Sequence, residues 1–180
     1  MKKILTFISL SFSLFALSAT AQSRSLKYDS TDFNKYSDNM TMTCVVRLDG
    51  TPLLDCEVAA FDAEGELRGA MLSDADDEGR VYLAVQGDTA DEPIAFRVVY
   101  ATDTDVPCFV TTVFRKGAIA GTYNDPFVID VSAEVSITDV THLVDALCSG
   151  TASRAVHDIN TDGILDTTDV TALADMVLQR

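Results

Sequence analysis

Between Asn39 and Val131 apolar and polar positions change places every second residue, the period of a half-buried strand. Thr41 to Leu48, Glu57 to Phe61, Glu66 to Leu72, Arg80 to Val85, Pro93 to Tyr100, Cys108 to Phe114 and Pro126 to Val131 read as short strands rich in Val, Phe, Thr and Tyr. Turn chemistry separates them: Asp49-Gly50, Asp62 to Gly65, Asp77-Glu78-Gly79, Gly87-Asp88, Asp103 to Asp105, and Lys116 to Asn124. Beyond Ser132 the period lengthens. Val170, Leu173, Ala174 and Val177 fall at i, i+3, i+4 and i+7, one apolar face of a helix from Thr168 to about Leu178.

The same helix is written thirty residues earlier. Ile137 to Leu147 aligns without a gap on Thr167 to Val177, sharing Thr-Asp-Val-Thr, the Leu and the second Asp, so the tail holds an internal duplication. The fold class predicted is mainly β with a small α module: an antiparallel β-sandwich of immunoglobulin or fibronectin-III type followed by two helices. The divisions expected are a signal peptide over 1–21, an extension over 22–38, the sandwich over 39–131 and the helical module over 132–180.

Composition adds the compartment. Met1-Lys2-Lys3, an apolar run from Ile4 through Leu17 and then Ala19-Thr20-Ala21 form a secretory signal with a small-x-small cleavage site after Ala21. The run is shorter than a membrane span and polar residues follow at once, which predicts export to the periplasm, cell surface or medium without membrane insertion. A net charge of −15 repels nucleic acid and anionic lipid.

Four cysteines in an exported chain raise the question of disulfides. Cys44 and Cys56 flank a turn and are the first pair to try; Cys44 also alternates with Val46 and Leu48, and Cys148 continues an apolar helix face through Val144, as buried thiols do.

The chemistry concentrates in Asp158-Ile159-Asn160-Thr161-Asp162-Gly163-Ile164-Leu165-Asp166-Thr167-Thr168-Asp169. This segment sets oxygen-bearing side chains at places 1, 3, 5, 9 and 12 of a twelve-residue loop, with Gly at 6, the spacing that wraps one Ca²⁺ in an EF-hand-type loop. Asp158, Asn160 and Asp162 offer side-chain oxygens, Ile164 its carbonyl, Asp166 a ligand through water, and Asp169 a carboxylate from the first turn of the helix. The matching stretch before the first helix offers Asp130, Ser132, Ser136 and Asp139, too few carboxylates and no turn Gly. One calcium is expected, with Asp139 capping its helix instead.

Two loop-helix units thirty residues apart, with Asp at the twelfth place, resemble the dockerin modules of bacterial multienzyme and cell-surface assemblies. The resemblance spans Asp130 to Arg180. It implies calcium-held helices that dock on a cohesin-like partner through loop places 10 and 11 and the adjoining helix face. By position these are Thr167 and Thr168 with Ala172 and Asp175, and Ile137 and Thr138 in the first unit. Glu57 to Phe61 with Leu67-Arg68-Gly69, and Asn124 to Ile129, are similar to sandwich modules of exported bacterial surface proteins.

Catalytic signatures are missing from the sequence: no nucleophile elbow, HExxH or P-loop is written in it. The expectation is a non-catalytic protein. His142 matches Ala172 in the duplicate and reads as a solvent-facing position, and His157 adjoins the first calcium ligand. Asp74 to Gly79 begins like a second calcium loop but has Tyr82 and Val85 where later ligands belong, which predicts an acidic hairpin turn. Tyr82, Tyr100, Phe109 and Phe114 are the candidate rings for an alternative, glycan-binding role, in which the helical tail is a staple for the sandwich.

Overall fold

A computed structural model describes residues 25–28 and 35–179; the expected signal peptide lies outside the described residues. Among the described residues nine strands form two sheets, and three α-helices follow. In the first sheet β1 (Asp38–Leu48) pairs antiparallel with β5 (Arg80–Gly87) and, at its far end, with β2 (Thr51–Pro52). In the second, β3 (Cys56–Phe61) lies between β4 (Leu67–Leu72) and β6 (Pro93–Tyr100), and β6 pairs with β7 (Thr104–Val113).

The expected strands are present, with β2 and β8 (Ile119–Ala120) in addition. One expectation is corrected: the sheets are not wholly antiparallel. Both β8 and β9 (Phe127–Val131) run parallel to β1, in a register that sets Cys44 opposite Phe127 and Leu48 opposite Val131. The chain leaves β7 in one sheet and re-enters the other, so β9 arrives by a crossover, and a crossover permits parallel pairing where a hairpin does not. A two-residue strand such as β2 or β8 is too short to leave a period in the sequence.

Alternation on β1 explains the core directly. Met40, Met42, Cys44 and Val46 point inward and are buried with Leu83 and Val85 of β5, Val58 of β3 and Phe96 of β6. Burying each such side chain stabilises the fold by about 1.5–3 kcal/mol. Gly69 lets the two sheets approach closely, because a Cβ there would stand 2.2 Å from the carbonyl oxygen of Ala84.

The strand β3 breaks the alternation, since all six of its residues are buried. Its outer face is covered. Tyr28 and Val156 pack over Ala59, Phe61 and Ala95, and the buried Glu57 carboxylate accepts the backbone N–H groups of Lys27 at 2.6 Å and Tyr28 at 2.8 Å. Residues from the N-terminal extension thus complete this sheet.

The helices are α1 (Ile137–Ser149), α2 (Arg154–His157) and α3 (Thr167–Leu178). The first and third match the duplicated pattern. The short α2 was not expected, because four residues carry no period. It fastens the tail to the sheets: Ser153 Oγ donates to the Asp62 carbonyl, Arg154 N–H donates to the Ala63 carbonyl at 3.0 Å, and Arg97 donates to the Ala155 carbonyl at 2.8 Å. α1 and α3 bury Leu143, Ala146 and Leu173.

Among the described residues no disulfide joins the four cysteines, and Cys44, Cys56 and Cys108 are buried. The disulfide tried first is corrected: Cys44 on β1 and Cys56 on β3 stand in different sheets rather than on neighbouring strands. Burial pushes the Cys44 thiol up to about 12, which suits an inert core residue. Cys148 and Val144 are exposed, so the buried stripe of α1 runs through Leu143 and Ala146 instead. Among the described residues no helix is long and apolar enough to cross a membrane.

Candidate metal centre

The loop between α2 and α3 is shaped by its own acids. Asp158 accepts the N–H groups of Asp162 at 3.2 Å and Gly163 at 2.9 Å through its two carboxylate oxygens. Asn160 Oδ1 accepts the Asp162 N–H at 3.0 Å, and Asp162 Oδ1 accepts the Ile164 N–H at 2.8 Å. Each is a short polar side chain closing its own local turn. Gly163 takes a φ of 82°, which a residue with a Cβ rarely adopts. Thr161 stands at a φ of 60°, unfavourable for a β-branched residue, so the loop holds it there against preference.

The end of the loop is tied to its beginning. Asp169, completely buried, accepts the N–H groups of Ile159 at 2.8 Å and Asn160 at 3.3 Å on one oxygen and that of Asp166 at 3.0 Å on the other. Asp166 caps α3, accepting the Thr168 N–H at 2.7 Å and its hydroxyl at 2.6 Å. Those hydrogen bonds hold the Asp166 carboxyl below its ordinary range. Asn160 Nδ2 spans the loop, donating to Asp162 Oδ2 at 3.0 Å and Thr168 Oγ1 at 2.8 Å.

The donor set suits a hard cation. A carboxylate has about four lone-pair sites; Asp158 uses two for backbone N–H groups, and Asp169 three. Asp158, Asn160 and Asp162 surround the glycine turn, and Asp166 and Asp169 stand at the helix start, with Ile164 exposed between them. Among the described residues no three of the loop's acids bring an oxygen each within 4.8 Å of one another. In this arrangement backbone N–H groups, rather than a shared focus, hold the oxygens.

A different trio does converge to that distance: Asp62, Glu64 and Glu92. No spacing in the sequence pointed to it, because Glu92 comes from a different turn from Asp62 and Glu64. Arg68 sits between two of them, donating to Asp62 at 2.8 Å and to Glu92 at 2.6 Å, with its guanidinium 4.2 Å from the centre of the Tyr36 ring. Burial raises the Glu92 carboxyl, and one of its oxygens is buried without a hydrogen bond from another described residue. The guanidinium pairs with two of the three acids, Asp62 and Glu92.

His157 precedes the loop and is completely buried, its ring 5.8 Å from that of Phe109. Its Nδ1 accepts the Ser153 N–H at 2.9 Å, which leaves the proton of the neutral ring on Nε2. Burial pulls its pKa down to about 4. The imidazole therefore serves as packing rather than as a ligand for a hard ion. His142 is exposed on α1, as the duplication suggested.

The remaining expected residues are placed as follows. Ile137, Thr138, Thr167, Thr168 and Asp175 are exposed and Ala172 is half-buried. Asp139 closes a capping box with Ser136 at the start of α1. Asp74 to Glu78 forms a 3₁₀ turn whose Asp77 and Glu78 pair with Arg80. The proposed ring platform is corrected: Phe114 lies in the core, Phe109 and Tyr100 are half-buried on the second sheet, and Tyr82 stands exposed on the first. Strand alternation sent these rings to different faces. No family profile, curated protein or solved structure matches the chain.

Proposed function

We propose that the chain is an exported, non-catalytic calcium-binding protein that attaches to a protein partner through its helical tail. In this reading the two-sheet domain is an immunoglobulin-like sandwich and the tail is a dockerin-like module loaded with one Ca²⁺. The observation that carries it is the 158–169 loop: five oxygen-bearing side chains at EF-hand spacing, around a left-handed glycine turn, ending on a buried aspartate at the helix start.

Asp158, Asn160, Asp162, Asp166 and Asp169, with the Ile164 carbonyl, would hold the ion. Its two positive charges would offset half the charge of the four carboxylates gathered in one loop and so stabilise the turn that launches α3. In a compartment rich in calcium such an ion is a permanent structural part.

Attachment is supported by the open outer faces of α1 and α3. Ile137 is 69% exposed, Met176 50% and Leu178 79%, beside Thr138, Thr167, Thr168 and Asp175. Exposed apolar residues rimmed by polar ones are the usual make-up of a protein-binding surface. A cohesin-like partner is the one the duplicated helices fit.

The test is capture from an extract of exported proteins by the immobilised chain, with calcium and with chelator. A partner retained only with calcium, and lost when Thr167 and Thr168 are both changed to Arg, supports attachment. Capture of nothing, or capture indifferent to both changes, overturns it.

A further inference from the structure

The two-sheet domain carries a groove that the helical tail does not use. It lies on the outer face of the first sheet, with a volume of about 570 Å³, within the 300–1,000 Å³ of ligand sites. Val45 and the side chains of Leu54, Pro52 and Pro126 give it an apolar bed, and Leu54 is 49% exposed. Its polar lining is Arg47 and Arg80 facing Asp76 and Glu78.

Next to the groove is a rigid aromatic rim. Tyr123 and Tyr82 are both about half exposed, at 54% and 45%. The hydroxyls of both donate to Asp77, that of Tyr123 at 3.3 Å. The Arg80 guanidinium lies 4.0 Å from the centre of the Tyr123 ring, and it donates to the Tyr123 carbonyl at 3.2 Å. Rings tied down at both ends lose little freedom when a ligand settles on them. Arg47, by contrast, is exposed and makes no ion pair with another described residue.

We propose that this groove binds a neutral oligosaccharide. Two guanidiniums and two carboxylates line it, so any charged ligand meets its own sign, whereas a neutral polyol meets donors and acceptors of both kinds. Vicinal hydroxyls match the fork of Arg47 and the carboxylate of Asp76, while the C–H face of a pyranose lies on Leu54, Pro52 and Pro126. The exposed rim of Tyr123 and Tyr82 extends the bed to a further sugar ring. These are not the rings that the strand pattern singled out, apart from Tyr82. The site is independent of the calcium reading, because none of its residues belongs to the tail.

Affinity electrophoresis tests it, with native gels cast in soluble xylan, β-glucan, galactomannan and starch, and chelator throughout so that calcium plays no part. At least one polysaccharide retards the protein, and Arg47→Ala and Asp76→Ala, both surface changes with unaltered melting temperature, each weaken that retardation at least tenfold. Tyr123→Ala weakens it as well, and Tyr123→Phe, which keeps the ring, largely restores it. Unretarded migration in all four gels, or retardation unchanged in the Arg47 and Asp76 variants, overturns the proposal.

Discussion

The duplicated helices share Thr-Asp-Val-Thr from their second residue onward and are held in two different ways. At α1, Ser136 is the N-cap, and the Asp139 side chain turns back to the Ser136 N–H at 2.7 Å and hydroxyl at 2.8 Å. The interaction stays within four residues. At α3 the matching Asp169 also turns back to its N-cap, Asp166, but its second oxygen reaches ten residues upstream to Ile159. One aspartate closes a local capping box, and its duplicate closes a whole loop. A cap common to both copies is helix physics; the reach of Asp169 is what ties the 158–169 loop to its helix.

The largest test of that difference removes each aspartate. In chelated protein, Asp169→Ala leaves three N–H groups at a buried place without an acceptor, and the tail is expected to lose about 3 kcal/mol. Asp139→Ala removes an ordinary cap and costs about 1 kcal/mol. Denaturant unfolding measures both; equal losses would break the comparison.

Calcium sharpens it further. A hundredfold excess over Kd stabilises the folded form by about 2.7 kcal/mol. Melting with calcium and with chelator should reveal that increment in the parent and in Asp130→Ala, and none in Asp158→Ala. An increment that vanishes in Asp130→Ala would assign the ion to the wrong copy.

How much of this was legible from the chain depends on range. The period-two strands and the two long helices were visible because Met40 to Val46, or Val170 to Val177, state their own pattern over short distances. The turn-rich loop from Asp158 to Asp169, with its glycine at a positive φ and its aspartate at the helix start, was legible for the same reason. The fastening of the tail was not: α2 is four residues long, and Asp62, Arg97 and Glu57 meet it or the N-terminal extension only across the fold. Parallel pairing of β9 and the separation of Cys44 from Cys56 are likewise facts of topology. The six buried residues of β3 hinted at a covered face without naming Tyr28 as the cover.

A smaller effect concerns the caps alone. Ser136→Ala should cost about 1 kcal/mol with or without calcium, measured by the same unfolding titration, since it touches no loop ligand. Dependence on calcium would mean that the copies are coupled.

The smallest effect is in pH. The Asp166 carboxyl is lowered by its bonds to Thr168. A lowered carboxyl adds stability above its ordinary range and loses it as pH falls through the lowered value. The chelated protein should therefore lose the cap of α3 on acidification, while at α1 the uncharged Ser136 hydroxyl keeps its bond from the Asp139 N–H. Asp166→Ser should flatten that part of the acid limb in circular dichroism; an unchanged limb would deny Asp166 the role.

The most direct measurement is calorimetric titration of calcium into chelator-stripped protein. One site per chain, abolished in Asp158→Ala and in Asp162→Ala and intact in Asp130→Ala, is the result expected. No heat of binding in the parent, or binding untouched by Asp158→Ala and Asp162→Ala, would contradict the assignment of the 158–169 loop as the calcium site.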